Sequence, residues 1–281
     1  MTKISVTPEE FKNFARYILD ISGIALDVGK EYLLETRLNP LLGKYACASH
    51  GELLHKAKLD PKKEIENHII DAISTNETYF FRDKSPFQLL QHKIFPDLID
   101  KRSKKRFGKP TIRLWSAANS TGQEIYSIAM TLLEMGVTPK DYNIKLFGTD
   151  ISDAAIAQAS YGLYNKFEVA RGLEPSRLNR YFDPHGDKYK IKDELRAMAQ
   201  FKKMNLMRPF MGVGKFDIVL CRNVMIYFTS KDRRKIYANI AKVLEPDGYL
   251  LIGSTESLVN DTDLFVSNKY LNSVFYQFKT N

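Results

Sequence analysis

The chain has 281 residues, 44% of them apolar and 27% charged, with a formal net charge of +9. That length can bury a substantial core in one large domain or two modest ones, and two is the favoured reading. Low-complexity tracts and internal repeats are not evident, which argues against a disordered or solenoid protein.

Two cysteines, Cys47 and Cys221, are too few for a disulfide framework or a structural zinc site. The first segment lacks the apolar centre of a signal peptide, and no apolar run approaches the roughly 20 residues that span a bilayer. A cytoplasmic protein that is not membrane-embedded is expected. Residues 1–75 hold 10 Lys/Arg and 11 Asp/Glu, so the cationic excess lies beyond them. Part of it is KRSKKRFGK at 101–109, which reads first as a solvated loop and second as an attractor of anionic partners.

The first 75 residues read as helices. Thr7-Pro8-Glu9-Glu10 combines a capping box with a proline at the first helical position, and Phe11, Phe14, Ile18 and Ile21 then recur at helical spacing before Gly23. Leu33, Leu34, Leu38 and Leu41 continue the period over 30–42, where Pro40 is expected to end or bend the element. Ser49 with Glu52, and Asp60-Pro61, open two further short helices. Residues 76–110 read as a linker carrying one segment of a binding site.

From 111 the pattern changes to strands alternating with helices: TIRLWSA, IKLFGTD, FDIVLC, GYLLIGS and SVFYQFK, with helical stretches such as QEIYSIAMTLLEMG and SKDRRKIYANIAKVL between them. Near-continuous apolar strands imply a sheet covered on both faces, so 111–281 is expected to be a doubly wound, mostly parallel α/β domain. Pro184-His185-Gly186-Asp187, flanked by alternating residues, predicts a small inserted β-hairpin subdomain within about 178–203.

In such sheets ligands bind beyond the carboxyl ends of the strands, here at 117–124, Thr149-Asp150, 221–223 and 254–256. Ala117, Ala118, Ser120 and Gly122 let a ligand approach the backbone. Neither GxxxxGK[ST] nor GxGxxG follows the first strand, which argues against a nucleoside triphosphatase and a standard NAD enzyme. Asp150 stands where a carboxylate accepts both hydroxyls of a ribose. A nucleoside without pyrophosphate fits both facts, and S-adenosylmethionine is one. A plain strand-to-helix turn with Asp150 as a helix cap remains the alternative.

Asn76-Glu77-Thr78-Tyr79-Phe80-Phe81-Arg82, the stretch Ser116 to Ser127, Cys221-Arg222-Asn223-Val224-Met225-Ile226-Tyr227-Phe228 and Gly253-Ser254-Thr255-Glu256-Ser257 resemble the characteristic blocks of chemotaxis receptor methyltransferases, the CheR family. They follow the family's order and cover nearly the whole chain. The resemblance implies a class I, Rossmann-like methyltransferase domain behind a helical N-terminal domain. It implies S-adenosyl-L-methionine as cofactor and the glutamates of chemoreceptor cytoplasmic helices as acceptors. It further implies that Asn76, Thr78, Arg82, Glu124, Asp150, Asn205, Leu206, Arg222 and Asn223 line the cofactor site. Within that set Asp150 takes the ribose, Asn205 and Leu206 the adenine, and Arg82 the methionine carboxylate. The resemblance also implies that Arg82 and Tyr227 stand nearest the reacting centre.

The chemistry agrees with this inventory. A glutamate of pKa ~4.3 is already ionised at neutral pH, so the nucleophile needs no general base. The five histidines fall into no metal-ligand pattern, and no metal is expected. Tyr79, Phe80 and Phe81 read as packing, and Cys221 as inert core. Lys30, Arg37 and Lys44 recur at seven and form either a stripe for acidic helices or a solvated face. The short turn DPHGDK lacks the longer glycine-bearing loop associated with tether binding, so no receptor C-terminal pentapeptide is expected to bind. Nucleic acid is an unfavoured partner, because an NPPY-type motif and an aromatic-rich basic stripe are both missing. A methyltransferase of another acceptor and a non-catalytic cofactor-sensing module are the alternatives.

Overall fold

The computed structural model describes residues 4–104 and 108–279. Its first four helices share a core of their own: α1 (Pro8–Ser22), α2 (Glu31–Lys44), α3 (His50–Leu59) and α4 (Glu64–Ile73). The capping box at the start of α1 is formed, with the Glu10 amide donating to Thr7 Oγ1 at 3.2 Å and the Thr7 amide to Glu10 Oε2 at 3.0 Å. Ser49 caps α3 through its Oγ, which accepts from the Glu52 amide at 3.1 Å.

Two local expectations need correction. Pro40 does not end α2, because the helix continues to Lys44. Proline forfeits the bond to the Thr36 carbonyl, but Leu34, Leu38 and Leu42 all reach the core from one face, and their burial outweighs that loss. Asp60-Pro61 does not open α4 directly. The Asp60 carboxylate accepts from the Lys62 and Ile65 amides and closes a turn through Lys63, which is left-handed, before the helix begins at Glu64.

The stretch 76–110 is not a bare linker. It holds α5 (Ser85–Leu89), a π-helical turn over Leu90–Ile94 and α6 (Phe95–Ser103). Phe87, Leu89, Leu90, Ile94, Phe95 and Leu98 from this segment are buried against the central sheet. The sequence signal was masked because the helical period slips by one residue at the π turn.

The remaining elements are β1 (Thr111–Ala117), α7 (Gln123–Glu134), β2 (Asn143–Asp150), α8 (Asp153–Tyr161), β3 (Leu163–Asn165), α9 (Lys166–Ala170), α10 (Pro175–Tyr181), β4 (Phe182–His185), β5 (Lys188–Ile191), α11 (Asp193–Arg196), β6 (Ala199–Lys203), β7 (Phe216–Cys221), α12 (Ser230–Val243), β8 (Leu244–Ile252), β9 (Phe265–Tyr270) and β10 (Ser273–Phe278). Seven strands form the central sheet in the order β6-β2-β1-β7-β8-β10-β9. β6, β2, β1, β7 and β8 pair in parallel, and β10 is antiparallel to both its neighbours. The sheet is therefore mostly parallel and doubly wound, as the alternation of elements required.

The hairpin β4–β5 turns at Gly186-Asp187 as expected, but it belongs to a three-stranded antiparallel sheet completed by β3. β6, assigned by sequence to the same insertion, instead joins β2 at the edge of the central sheet. Its exposed alternate residues gave it the look of a hairpin strand, whereas an edge position tolerates that pattern equally well.

Candidate active site

The strand order reverses between β1 and β7, and a cleft opens beyond the carboxyl ends of β1, β2 and β7, where open α/β sheets place ligands. It is open to solvent, and all ten residues proposed from sequence line it: Asn76, Thr78, Arg82, Glu124, Asp150, Asn205, Leu206, Arg222, Asn223 and Tyr227.

The floor of the cleft is the turn between β1 and α7. Ala118 and Ser120 adopt left-handed φ of 56° and 55°, and Gly122 follows at 99°. Only glycine is at ease there, and at Gly122 a side chain would also meet Ala159 and the Tyr164 hydroxyl at 3.0 Å. The contorted turn brings the Ser120 amide 2.9 Å from Asp150 Oδ2, while the Ser152 amide donates to Oδ1 at 3.0 Å. Burial pushes the Asp150 carboxyl above its ordinary range, and these backbone donors oppose the shift. Each oxygen keeps acceptor capacity for a ligand hydroxyl. Asn119 Oδ1 and Ser120 Oγ are buried in the same wall without a partner among the described residues, as polar atoms facing a polar ligand would be.

The second wall is an ion cluster. Arg222 follows β7 and has a side chain only 2% exposed. Its Nη1 donates to Glu124 Oε2 at 2.6 Å, and its Nη2 to Asp83 Oδ2 at 2.8 Å and to the Arg82 carbonyl at 3.1 Å. Ser116 Oγ donates to the other Glu124 oxygen at 2.7 Å. Asp83 thus turns to Arg222 and not to its neighbour Arg82. Arg82 donates to the Glu77 carbonyl at 2.7 Å and lies over the Tyr79 ring.

Of the aromatic triplet, Phe80 and Phe81 are packing residues as expected. Phe80 meets Tyr164 and Phe182 edge-on at 5.1 and 5.5 Å, tying the segment to the small sheet. Tyr79 departs from that reading, since it lines the cleft and carries Arg171 over its ring at 4.4 Å. Cys221 is fully buried, and burial raises its thiol well above the ordinary range, leaving it unreactive.

The helical domain completes the cleft with Ser22 and Ile24, which no local sequence signal marked. Asn205 Nδ2 donates to the Ile21 carbonyl at 2.8 Å, and the Ala25 amide donates to the Tyr227 carbonyl at 3.0 Å. Asn205 therefore anchors the end of α1 with the same amide that the resemblance assigns to adenine. Asp71 of α4 accepts from Ser152 Oγ at 2.7 Å, capping the domain junction at the start of α8.

The candidate docking cations are mostly engaged within the chain. Lys30 pairs with Asp27 at 2.8 Å, Arg37 donates to the Ile73 carbonyl and Thr75 Oγ1, and Lys44 approaches the His68 ring. They do not form one unoccupied stripe on α2. In the basic run, Arg102 is sequestered by Asp217 and Asp247, and residues 105–107 lie outside the described residues.

A seven-stranded sheet of this order, with a buried carboxylate after its second strand and a cleft fit for a nucleoside, defines a class I S-adenosylmethionine-dependent methyltransferase. The family described as CheR methyltransferase, SAM binding domain, matches residues 76–272, and the CheR methyltransferase all-alpha domain matches 9–74. The chain belongs to the CheR methyltransferase family. A chemotaxis protein methyltransferase of Vibrio parahaemolyticus is 37% identical over 285 residues, covering 99% of this chain and all of that protein. Chemotaxis protein methyltransferase 1 of Vibrio cholerae is 36% identical over the same span, and chemotaxis protein methyltransferase Cher2 of Pseudomonas putida is 35% identical over 96% of this chain and 98% of its own. S-adenosylmethionine is the cofactor, and the activity is that of a chemotaxis methyltransferase. Among the described residues, no helix is long and apolar enough to cross a membrane.

Proposed function

We propose that the chain methylates glutamate side chains on the cytoplasmic helices of chemoreceptors, acting in the cytoplasm. The observation that carries this reading is the distribution of ionisable groups around the cleft. Glu124 is neutralised by Arg222, and Asp150 is held by backbone donors. Arg82 and Tyr227 are left as donors for an incoming anion.

In that division of labour, Asp150 would hold the ribose hydroxyls. Leu206, apolar and buried, and the remaining capacity of Asn205 would receive the adenine. Asn76, Thr78, Glu124, Arg222 and Asn223 would shape the rest of the cofactor's bed. The cofactor, when bound, supplies a methyl carbon made electrophilic by a positive sulfur. Arg82 lies close enough to Tyr79 and Glu77 to be fixed in direction, so it can meet either the methionine carboxylate or the acceptor. The acceptor carboxylate needs no base, and its reaction with a sulfonium cancels charge, so exclusion of water favours the step. Holding the oxygen in line with the methyl carbon contributes about 7 kcal/mol. Tyr227 is suited to aim that oxygen. A stronger clamp on the anion would weaken it as a nucleophile.

Incubation with radiolabelled S-adenosylmethionine and receptor cytoplasmic fragments tests the proposal. Alkali-labile label on glutamates supports it. Label on nucleic acid, or cofactor binding with no transfer to any acceptor, overturns it. Tyr227→Phe should lower kcat by roughly 10- to 100-fold while leaving affinity for S-adenosylhomocysteine within about threefold, since only an acceptor-aiming bond is lost. The two-residue turn at Gly186-Asp187 offers little surface for a tethering peptide. Calorimetry with a receptor C-terminal pentapeptide should accordingly detect no binding.

A further inference from the structure

The loop that carries Asn223 and Tyr227 is held in place by one carboxylate that does not itself line the cleft. Glu256 Oε2 accepts from the Gly253 amide at 2.7 Å and the Asn223 amide at 2.9 Å, and its Oε1 accepts from the Val224 and Met225 amides at 3.1 and 2.9 Å. Four backbone donors converge on two oxygens. Three of them belong to consecutive residues in which β7 gives way to a 3₁₀ turn, Met225–Tyr227. Asn223 enters that turn in a left-handed conformation, φ 57°, which asparagine tolerates better than most residues but which still needs support from its surroundings. The carboxylate supplies that support with charge-assisted bonds, roughly twice as strong as neutral ones.

The site is also built to admit the carboxylate. A Cβ on Gly253 would lie 2.7 Å from Glu256 Oε2 and 3.0 Å from the Asn223 amide nitrogen. Glycine at 253 therefore lets the end of β8 and the start of the 223–227 loop close on a common anion. Four amide dipoles thus face the Glu256 carboxylate.

We propose that Glu256 is a positioning residue for methyl transfer, clamping the backbone of 223–225 so that Asn223 and Tyr227 face the cleft. The inference rests on the reading that Tyr227 works at the reacting centre. It goes beyond that reading in assigning the geometry of Tyr227 to a residue outside the cleft.

The test uses the full chain and the variants Glu256→Gln, Glu256→Ala and Gly253→Ala. In Glu256→Gln one amide nitrogen faces backbone donors, so kcat per folded molecule should fall about 10- to 100-fold, with KM for the receptor fragment within about threefold. Gly253→Ala, which keeps the carboxylate but displaces it, should fall in the same direction. A merely structural role would lower the unfolding temperature and leave kcat per folded molecule unchanged, and that result overturns the proposal. Hydrogen exchange at the 223–225 amides supplies a readout independent of catalysis. It should quicken at least ~10-fold in Glu256→Ala, while exchange within α1 stays as in the parent. Unchanged exchange at 223–225 likewise overturns it. Failure of the parent protein to label receptor glutamates refutes the acceptor reading alone, and the clamp is then decided by the exchange measurement.

Discussion

The strand β7 begins beside a half-buried arginine and ends beside a buried one, and the two ends are built for opposite purposes. At its start, Asp217 and Asp247 surround Arg102, whose Nε, Nη1 and Nη2 are all bonded at 2.6 to 2.9 Å. Four of its five N–H donors are thereby used within the chain. At its far end Arg222 is more deeply buried, yet its Nε has no partner among the described residues, and its carboxylate partners Glu124 and Asp83 come from two segments beside the cleft. The carboxyls differ in the same sense. Hydrogen bonding to Arg102 holds Asp247 below the ordinary carboxylate range, whereas burial drives Asp150 above it. Ionised Asp247 stabilises the fold, and ionised Asp150 opposes it. One end of the sheet commits its arginine to stability, and the other sacrifices stability to keep a polar cleft ready for its ligand.

That contrast can be broken most severely at Arg222. Arg222→Met leaves Glu124 and Asp83 without their cation, and urea unfolding should show a loss of about 3–5 kcal/mol, accompanied by loss of cofactor binding. The next effect in size is at Asp150. Asp150→Ala removes the proposed ribose acceptor and should weaken S-adenosylhomocysteine at least ~100-fold by calorimetry, corresponding to about 2.7 kcal/mol from two lost charge-assisted bonds. Arg102→Met should cost less, about 2 kcal/mol, because Asp247 is 40% exposed and water can take over its charge. Its distinguishing feature is an unchanged affinity for the cofactor product. If Arg102→Met weakened binding as much as Arg222→Met, the two ends would not be functionally separate.

The smallest effects are in pH dependence. The folded pKa of Asp247 is depressed, so its stabilisation is present above the ordinary value of 3.8 and disappears as pH falls through the lower folded value. Arg102→Met should flatten the acid limb of a stability profile in that window. Asp150 behaves in the reverse sense. Its raised pKa means that protonation begins above 3.8. If the ionised form accepts the ribose hydroxyls, product affinity should fall on acidification before ordinary carboxylates titrate, which calorimetry across mildly acidic buffers would reveal.

Much of this architecture is written in local pattern. The capping box at Thr7 and Glu10 and the alternation of strands with helices after 111 use only neighbouring residues, and each formed as expected. The cleft was legible for a related reason: in a doubly wound sheet the loops after β1, β2 and β7 must share one edge. Expectations failed where distant packing competes with local preference. Pro40 stays within α2 because three leucines bury together, and the π turn at Leu90–Ile94 hides the period of α5 and α6. Strand β9 carries exposed residues at an edge and left too little apolar pattern to be noticed.

The sequence by itself determined the order of elements, the edge of the sheet where a nucleoside could lie and the residue types that meet it, since periodicity, capping and turn chemistry act over a few positions. Only the tertiary structure decided which charges are spent on the fold. Arg102 meets partners 115 and 145 positions away, Arg37 is bonded to the end of α4, and Glu256 reaches back to the amides of 223–225. Hydrogen bonds and ion pairs act through space, over about 3 Å, and a one-dimensional pattern holds no measure of that distance.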